Sequence, residues 1–139
     1  MTDVKKYTVY ILEENKELLN NIKESLTKTT NFTVVGTSDN ATSCLNYLST
    51  NNCDLLIIDL MLTNIDGIGV LNKLKEINSR AYNKVVCITS FTNPLICESL
   101  EKLNVSYCFK QPFDINYFTT TLNSIMKISL EDIKDMSQN

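Results

Sequence analysis

The segment Asp54-Leu55-Leu56-Ile57-Ile58-Asp59 decides the fold of this 139-residue chain. Its four consecutive apolar residues predict a strand that is buried on both faces, as in a parallel sheet. The apolar run stops at Asp59, and a turn-rich stretch up to Asp66-Gly67 separates it from the next helical pattern. We therefore expect Asp59 at the carboxyl end of a central strand, where open α/β sheets place their chemistry.

An earlier apolar run, Thr8–Leu12, ends in the acid pair Glu13-Glu14. If the two strands are neighbours, their ends bring three carboxylates to one crevice together with Asp59. Crowded carboxylates repel one another, so such a crevice favours either a protonated carboxyl or a bound cation. The acid pair and Asp59 are thus the first candidates for a functional site.

Apolar runs with the character of strands alternate with patterns of helical spacing along the rest of the chain. The strands are predicted at Thr8–Leu12, Phe32–Val35 closed by Gly36, Leu55–Asp59, Lys84–Ile88 and Val105–Phe109. Asn15 is expected to cap the first helix, and Asn93-Pro94 to begin the fourth. Short connections of this kind require right-handed crossovers. The pattern predicts an α/β, flavodoxin-like (βα)5 fold, a doubly wound parallel sheet with strand order 2-1-3-4-5.

Length and charge limit the domain organisation and the function. The chain is long enough for one domain, which we place at residues 1–127, with 128–139 as a tail or the start of a linker. Thirteen basic and 16 acidic residues give a net charge of -3, and the basic ones are scattered, which argues against nucleic-acid binding by this domain. Residues 1–6 are polar, and no stretch approaches the roughly 20 apolar residues that span a bilayer. We expect a cytoplasmic protein without a membrane segment.

The cysteine pattern does not indicate a zinc site. The five cysteines have no C-x-x-C spacing, and the chain contains no histidine. They lie mostly inside apolar segments, which predicts buried thiols in a reducing compartment. They are Cys44, Cys53, Cys87, Cys97 and Cys108.

Five sequence features, in this order and at this spacing, resemble the receiver domain of two-component response regulators and, within that family, the receiver half of sporulation regulators. The resemblance extends from about Thr8 to Lys127. The features are the acid pair followed by Asn15, the segment ending in Asp59, the Asp66-Gly67 turn, Thr89-Ser90 after the fourth strand, and Pro112-Phe113-Asp114 after the fifth.

The resemblance implies a phosphotransfer switch. Asp59 would accept a phosphoryl group from a histidine kinase or phosphotransferase. Mg²⁺ would be held by Glu13, Glu14, Asp59 and the carbonyl of Met61, and Thr89 would report the change by moving toward the phosphoryl oxygens. The family also implies a cis peptide bond between Gln111 and Pro112.

Several positions depart from the pattern of the family. Gln111 replaces the lysine that precedes the Pro-Phe dipeptide, and an amide supplies no cation for the phosphoryl group. Lys110 is one residue early, so strand alternation points it away from the crevice. Cys108 stands where the family has the aromatic residue that follows the threonine. The acid pair, commonly aspartate, is here glutamate, whose extra methylene shifts each carboxylate by roughly an ångström. Thr63 replaces a proline that often follows the phosphoacceptor, which loosens that loop.

Two functions follow, and the sequence favours the first. One is a degenerate receiver that signals by protein contact in a phosphorelay-type pathway, with weak or absent phosphorylation. The other is a working phosphoacceptor that controls transcription through a separate output domain. The partners would be a histidine kinase or phosphotransferase, or another regulator protein, and a homodimer through the face formed by residues 95–125 is possible.

The sequence does not indicate a conventional enzyme. A phosphatase of the haloacid dehalogenase type would need an aspartate where Met61 stands. A flavodoxin would need a phosphate-binding loop where Glu13-Glu14-Asn15-Lys16 stands.

Overall fold

The computed structural model describes residues 6–138, with side chains described from Lys6 to Lys127. Residues 1–5 and 139, and with them most of the polar amino terminus discussed above, lie outside the described part, as do the side chains of the predicted tail. Strands and helices alternate without exception. Their order is β1 (Tyr7–Leu12), α1 (Lys16–Thr27), β2 (Phe32–Ser38), α2 (Ala41–Thr50), β3 (Cys53–Asp59), α3 (Gly67–Ile77), β4 (Tyr82–Thr89), α4 (Pro94–Lys102), β5 (Tyr107–Lys110) and α5 (Ile115–Gln138).

The five strands form one parallel sheet in the order β2-β1-β3-β4-β5. This confirms the predicted flavodoxin-like (βα)5 architecture and its strand order. Leu12 lies opposite Ile58, and Asp59 lies opposite Ile88, so β1, β3 and β4 end at nearly the same level. The crevice at the switch point, between β1 and β3, is where an open parallel sheet binds its ligands.

The sheet divides the core into two layers. Alternate residues of β3 contribute to opposite layers, with Leu56 and Ile58 in one and Leu55 and Ile57 in the other, all four fully buried. Helices α2, α3 and α4 cover the first layer, and α1 and α5 cover the second. Burial on both faces is why β3 is a continuous apolar run without polar alternation.

Side-chain caps begin four of the helices. The predicted caps Asn15 and Asn93 are confirmed, since their side-chain oxygens accept hydrogen bonds from the amides of Leu18 (3.1 Å) and Ile96 (2.9 Å). Asn40 caps α2, and Asp66 caps α3. Each cap satisfies an amide that has no partner within the helix, which typically contributes about 1 kcal/mol.

The prediction that Gly36 closes the second strand is wrong, because β2 continues to Ser38. The pairing register shifts between Val9 and Tyr10, so β2 contains one extra residue and then resumes pairing at Gly36. A Cβ at Gly36 would lie 2.7 Å from a ring carbon of Tyr10, so the glycine makes room for that ring. Glycine inside a strand often marks a bulge or a close approach, and here it marks both.

The other four strand ranges also differ from those predicted. β1 begins at Tyr7 and β3 at Cys53. β4 begins at Tyr82 and ends at Thr89, and β5 is displaced toward its carboxyl end, at Tyr107–Lys110. β4 is longer than predicted at both ends, because Tyr82 pairs with Cys53 and Thr89 pairs with Lys110. An apolar run in the sequence does not reveal these pairings. The division at residue 127 stays a prediction.

The thiols only partly follow the prediction that they are buried. Cys44, Cys53 and Cys87 are buried, Cys108 is half-buried, and Cys97 is exposed on α4, whose core-facing residues are Ile96 and Leu100. Burial raises the pKa of the Cys44 and Cys53 thiols to about 12. Within the described residues, none of the helices combines the length and apolarity needed to cross a bilayer.

Candidate functional site

Asp59 is the last residue of β3 and lies at the floor of the crevice, with 8% of its surface exposed. Its Oδ1 accepts a hydrogen bond of 2.8 Å from the backbone amide of Met61, which fixes one carboxylate oxygen. The chain then turns into α3, and the amide of Leu60 donates to the carbonyl of Ile88 at 2.9 Å. The carboxyl group is thus held at a strand end and reaches solvent through a small opening.

Glu13 follows β1 directly and is buried beside Asp59, with 1% of its surface exposed. Its Oε2 accepts a hydrogen bond from the amide of Asn15 at 3.1 Å. Its Oε1 is fully buried and accepts no hydrogen bond from any described residue. Burial, together with the neighbouring Asp59 carboxyl, raises the pKa of Glu13 to about 8. A buried acceptor beside a second carboxyl requires a proton or a cation.

Glu14 lies at the exposed rim of the crevice, on the side of β2. The hydroxyl of Thr63 donates a hydrogen bond to its Oε1. Glu14 and Thr63 line a cleft of about 70 Å³ with Asp39, and neither Glu13 nor Asp59 contributes to that cleft. The structure therefore brings Glu13 and Asp59 together at the floor of the crevice, and places Glu14 at its exposed rim in contact with Thr63.

The side chain of Met61 lies at the exposed rim of the crevice and not at its floor. It is 56% exposed, and the hydroxyl of Ser90 lies 3.0 Å from its sulfur. Among the residues whose side chains are described, no group of three or more acidic, cysteine or histidine side chains is placed to hold a metal ion. The ligand set Glu13, Glu14, Asp59 and Met61 carbonyl stays a prediction.

Thr89, the predicted switch residue, ends β4 and is 1% exposed. Its hydroxyl donates to the carbonyl of Phe91 at 2.7 Å and accepts from the Phe91 amide at 3.2 Å. The side chain is therefore bonded to its own loop. A move toward Asp59 would break two hydrogen bonds and release that loop.

Gln111 follows β5 directly. Gln111 is half-buried, its backbone amide donates to the carbonyl of Thr89 at 2.8 Å, and its bond to Pro112 is cis, as predicted. Lys110 is exposed beside the buried Phe109. Across residues 6–127, the ion pair within 4.0 Å joins Lys102 to Glu98, so neither acid of the crevice has a basic partner there.

The two residues that precede Phe109 face different helices. Cys108 packs with the layer covered by α4, whereas Tyr107 contacts Phe109 and Tyr117 on the opposite side. The hydroxyls of Tyr107 and Tyr117 are hydrogen-bonded to each other. Tyr107 therefore packs on the α5 side, and Cys108 on the other.

Sequence reasoning missed two contacts at the site. Thr63 is not only a loop residue, since it binds Glu14, and the backbone of Phe91 holds Thr89. In the sequence Thr63 stands out only as a replacement of proline, although its hydroxyl can bind an acid of a neighbouring loop. Nothing in the sequence indicated the Phe91 contact.

Comparison with known proteins identifies the family. The family model of the response regulator receiver domain matches residues 9–123. The receiver domain of RcsB from Salmonella enterica serovar Typhimurium, solved in the presence of the phosphomimetic BeF3-, has a TM-score of 0.77 at 21% identity, covering 88% of this chain and 90% of that one.

Two further receivers superpose on most of the chain. A CheY-like receiver domain protein from Methanospirillum hungatei gives a TM-score of 0.79 at 12% identity, covering 92% of this chain and 99% of that one. The phosphorylated cyanobacterial phytochrome response regulator RcpA gives 0.72 at 22% identity, covering 90% and 94%. At such identities the structural likeness shows the fold, and the family model shows membership. The chain belongs to the response regulator receiver domain family.

Proposed function

We propose that this chain is a degenerate receiver, which signals in a phosphorelay-type pathway through protein contact and accepts a phosphoryl group at Asp59 weakly or not at all. The observation that carries the proposal is the amide of Gln111 at the position where the family has a lysine, with Lys110 exposed beside it. The similarity to sporulation regulators and the cytoplasmic location belong to the same proposal.

The missing cation weakens phosphoryl transfer. In the reaction, an Asp59 oxygen forms a bond to phosphorus as the bond between phosphorus and the donor breaks, and the phosphoryl oxygens remain negatively charged. A lysine would form a charge-assisted hydrogen bond to them, whereas an amide donates only a neutral one.

Mg²⁺ fits part of this site. The Glu13 Oε1, which has no hydrogen-bond partner among the described residues, lies beside Asp59, and a hard cation binds such oxygen ligands. Glu13, Asp59 and the Met61 carbonyl would hold the ion. When bound, it would neutralise the crowded oxygens. Asp59 would be the phosphoryl acceptor, with Glu13 beside it, and the Met61 amide orients one Asp59 oxygen.

The partners follow from membership of the family. Receiver domains interact with histidine kinases or phosphotransferases and with other regulators, and they are signalling modules rather than conventional enzymes. For this chain we propose a contact partner of that kind, a possible homodimer through the face of residues 95–125, and no nucleic-acid contact by this domain.

A working phosphoacceptor is the alternative function. It is favoured by the opening of Asp59 to solvent and by Thr89, whose hydroxyl lies at the end of the neighbouring strand and could be released from Phe91. In that case an output domain would control transcription.

Incubation with acetyl phosphate and Mg²⁺, followed by intact-mass measurement of the parent and Asp59→Ala, distinguishes the two functions. Little or no phosphorylated parent, with a folded protein by circular dichroism, supports the degenerate receiver. Full conversion of the parent, absent in Asp59→Ala, would replace it with the working switch.

A further inference from the structure

We propose that Cys97 on α4 and Cys108 on β5 form a reversible disulfide bond when the protein reacts with a low-molecular-weight disulfide such as oxidised glutathione. This oxidation site goes beyond the proposed function, because neither thiol belongs to the crevice at Asp59. Both cysteines lie within the face of residues 95–125, so the bond would make the position of α4 depend on the redox state.

The first observation is that Cys108 and Cys97 border the same contact between β5 and α4. Cys108 is half-buried and packs against the core layer to which α4 contributes Ile96 and Leu100. Cys97 is exposed and directly follows Ile96 in the helix. It precedes Leu100 by three positions, so these two side chains lie about 60° apart around the helix axis. Cys97 is therefore at the edge of the surface that α4 turns toward the sheet.

The second observation is that the two cysteines lie at similar heights above the turn between α4 and β5. The amide of Val105 closes this turn by donating to the carbonyl of Leu100 at 3.0 Å. The helix rises about 9 Å between Cys97 and Leu103, and the extended chain rises about 10 Å between Val105 and Cys108. Because the turn reverses the direction of the chain, Cys97 and Cys108 lie at about the same level.

The two thiols differ in the way that a stepwise exchange requires. Cys97 is exposed, so an external disulfide can reach it first. Burial, and after it the nearby Cys97 thiol, raises the pKa of Cys108, which makes Cys108 the slower nucleophile and the second to react. Cys87 pairs with Cys108 in the sheet but is fully buried, and burial raises its pKa as well. Cys97 is thus the more accessible partner for Cys108.

The reaction is a balanced two-electron oxidation in two exchange steps. The Cys97 thiolate attacks one sulfur of oxidised glutathione, a bond between Cys97 and glutathione forms, and one glutathione thiolate leaves. The Cys108 thiol then loses its proton to solvent and attacks the Cys97 sulfur. The bond between the two cysteines forms, and the second glutathione thiolate leaves. The protein dithiol is oxidised, and the glutathione disulfide is reduced to two thiols.

Formation of the bond would draw α4 toward β5. Both thiols are free in this structure, and a disulfide holds its two Cα atoms about 4.4–6.8 Å apart. The helix is short and has one buried residue, Leu100, so a small shift disturbs few core contacts. A bond that holds a shifted helix is strained and easily reduced, which is typical of regulatory disulfides and not of structural ones.

The experiment incubates the full chain with mixtures of oxidised and reduced glutathione at about pH 8, near the ordinary pKa of a thiol. The remaining thiols are alkylated, and peptide mass spectrometry identifies the linked cysteines. We expect the parent to lose two hydrogen atoms and to link Cys97 to Cys108. Cys108→Ser should instead accumulate glutathione bound to Cys97, because the thiol that displaces it is gone.

Hydrogen exchange measures the effect of the bond on the helix. Amides of α4 should exchange at least about tenfold more slowly in the oxidised parent than in the reduced one, since the bond restricts local opening of the helix. Dithiothreitol should restore the faster exchange. Unchanged exchange in the oxidised parent would overturn the link between redox state and α4.

The double variant Cys97→Ser with Glu98→Cys supplies the matched control. It keeps an exposed thiol on α4 but turns it about 100° further from the sheet, where Glu98 pairs with Lys102. This variant should take up glutathione without linking to Cys108, and circular dichroism verifies that it is folded. The proposal is overturned if the parent stops at the glutathione adduct, if Cys108 links to Cys87, or if the control variant links to Cys108 as readily as the parent does.

Discussion

The two ends of β3 each carry an aspartate, and their surroundings are opposite. At the amino end, Asp54 Oδ2 accepts hydrogen bonds from the amide and the hydroxyl of Thr8, at 2.8 and 3.2 Å, and the Thr8 hydroxyl accepts from the Asp54 amide. At the carboxyl end, Asp59 lies against a second acid that has an orphaned oxygen. Asp54 links β1 and β3 through hydrogen bonds, whereas the acids at Asp59 lack a partner for one buried oxygen among the described residues.

Hydrogen-bond partners distinguish a structural carboxylate from a functional one. A half-buried acid with two donors costs little, because its hydrogen bonds replace those of water. Two adjacent acids with no cation are unfavourable, and proteins keep such groups mainly where a ligand, proton or modification completes them. Asp54 belongs to the structural class, since it is half-buried and its contact with Thr8 joins β1 to β3.

The largest effect is expected from pH at the carboxyl end of β3, measured with a chelator present. The folded pKa of Glu13, about 8, lies above its ordinary value of 4.5, so the folded state binds more protons between these values. The free energy of unfolding should therefore fall as pH rises from about 4.5 to about 8, by at most about 1.4 kcal/mol per pH unit from this group.

Urea unfolding of the parent and Glu13→Gln at pH 5 and pH 8 measures this slope. The glutamine variant should lose most of it and should be the more stable protein at pH 8 by a few kcal/mol. A parent whose stability does not change across this range would contradict the buried, protonated acid.

A smaller effect is expected at the amino end. Asp54→Ala removes the acceptor of the Thr8 amide, and loss of that partner should cost about 1–3 kcal/mol of stability. Chemical denaturation measures the loss. Glu76→Ala is the matched control, because Glu76 is exposed on α3 and its loss should change stability by less than about 0.5 kcal/mol. Equal effects of the two substitutions would remove the structural role of Asp54.

The smallest effect concerns the loop that follows β4. Thr89→Val removes the hydroxyl that bonds to Phe91 and keeps the buried shape, so stability should fall by about 1 kcal/mol. Hydrogen exchange should show faster exchange at the Phe91 amide, with little change in the core of β4. Unaltered exchange at Phe91 would mean that the hydroxyl does not hold this loop.

The sheet and the order of its strands could be predicted from the sequence, because a continuous apolar run indicates a buried strand. The continuous runs of β1, β3 and β4 identified the centre of the sheet, and Asn15 and Asn93 identified the starts of two helices. The extension of β2 past Gly36 was missed, because a glycine reads as a break unless the Tyr10 ring that fills its space is known.

The site was less predictable than the sheet. Strand ends located Glu13 and Asp59, since parallel strands bring their carboxyl ends to one edge. The direction of Glu14 and the bonding of Thr89 depend on loop conformations, which follow no periodic pattern. Thr63 and Phe91 supply those contacts from residues that have no apolar or helical signal of their own.

Whether Gln111 makes the receiver degenerate is tested by the rate of phosphorylation of Asp59 by acetyl phosphate and Mg²⁺ in the parent and in Gln111→Lys. Mass spectrometry follows both proteins, with Gln111→Glu as a control that adds no positive charge. We expect at least a tenfold faster reaction for Gln111→Lys, the effect of one charge-assisted hydrogen bond on the transferred group. A parent that is phosphorylated as fast as the lysine variant would contradict it.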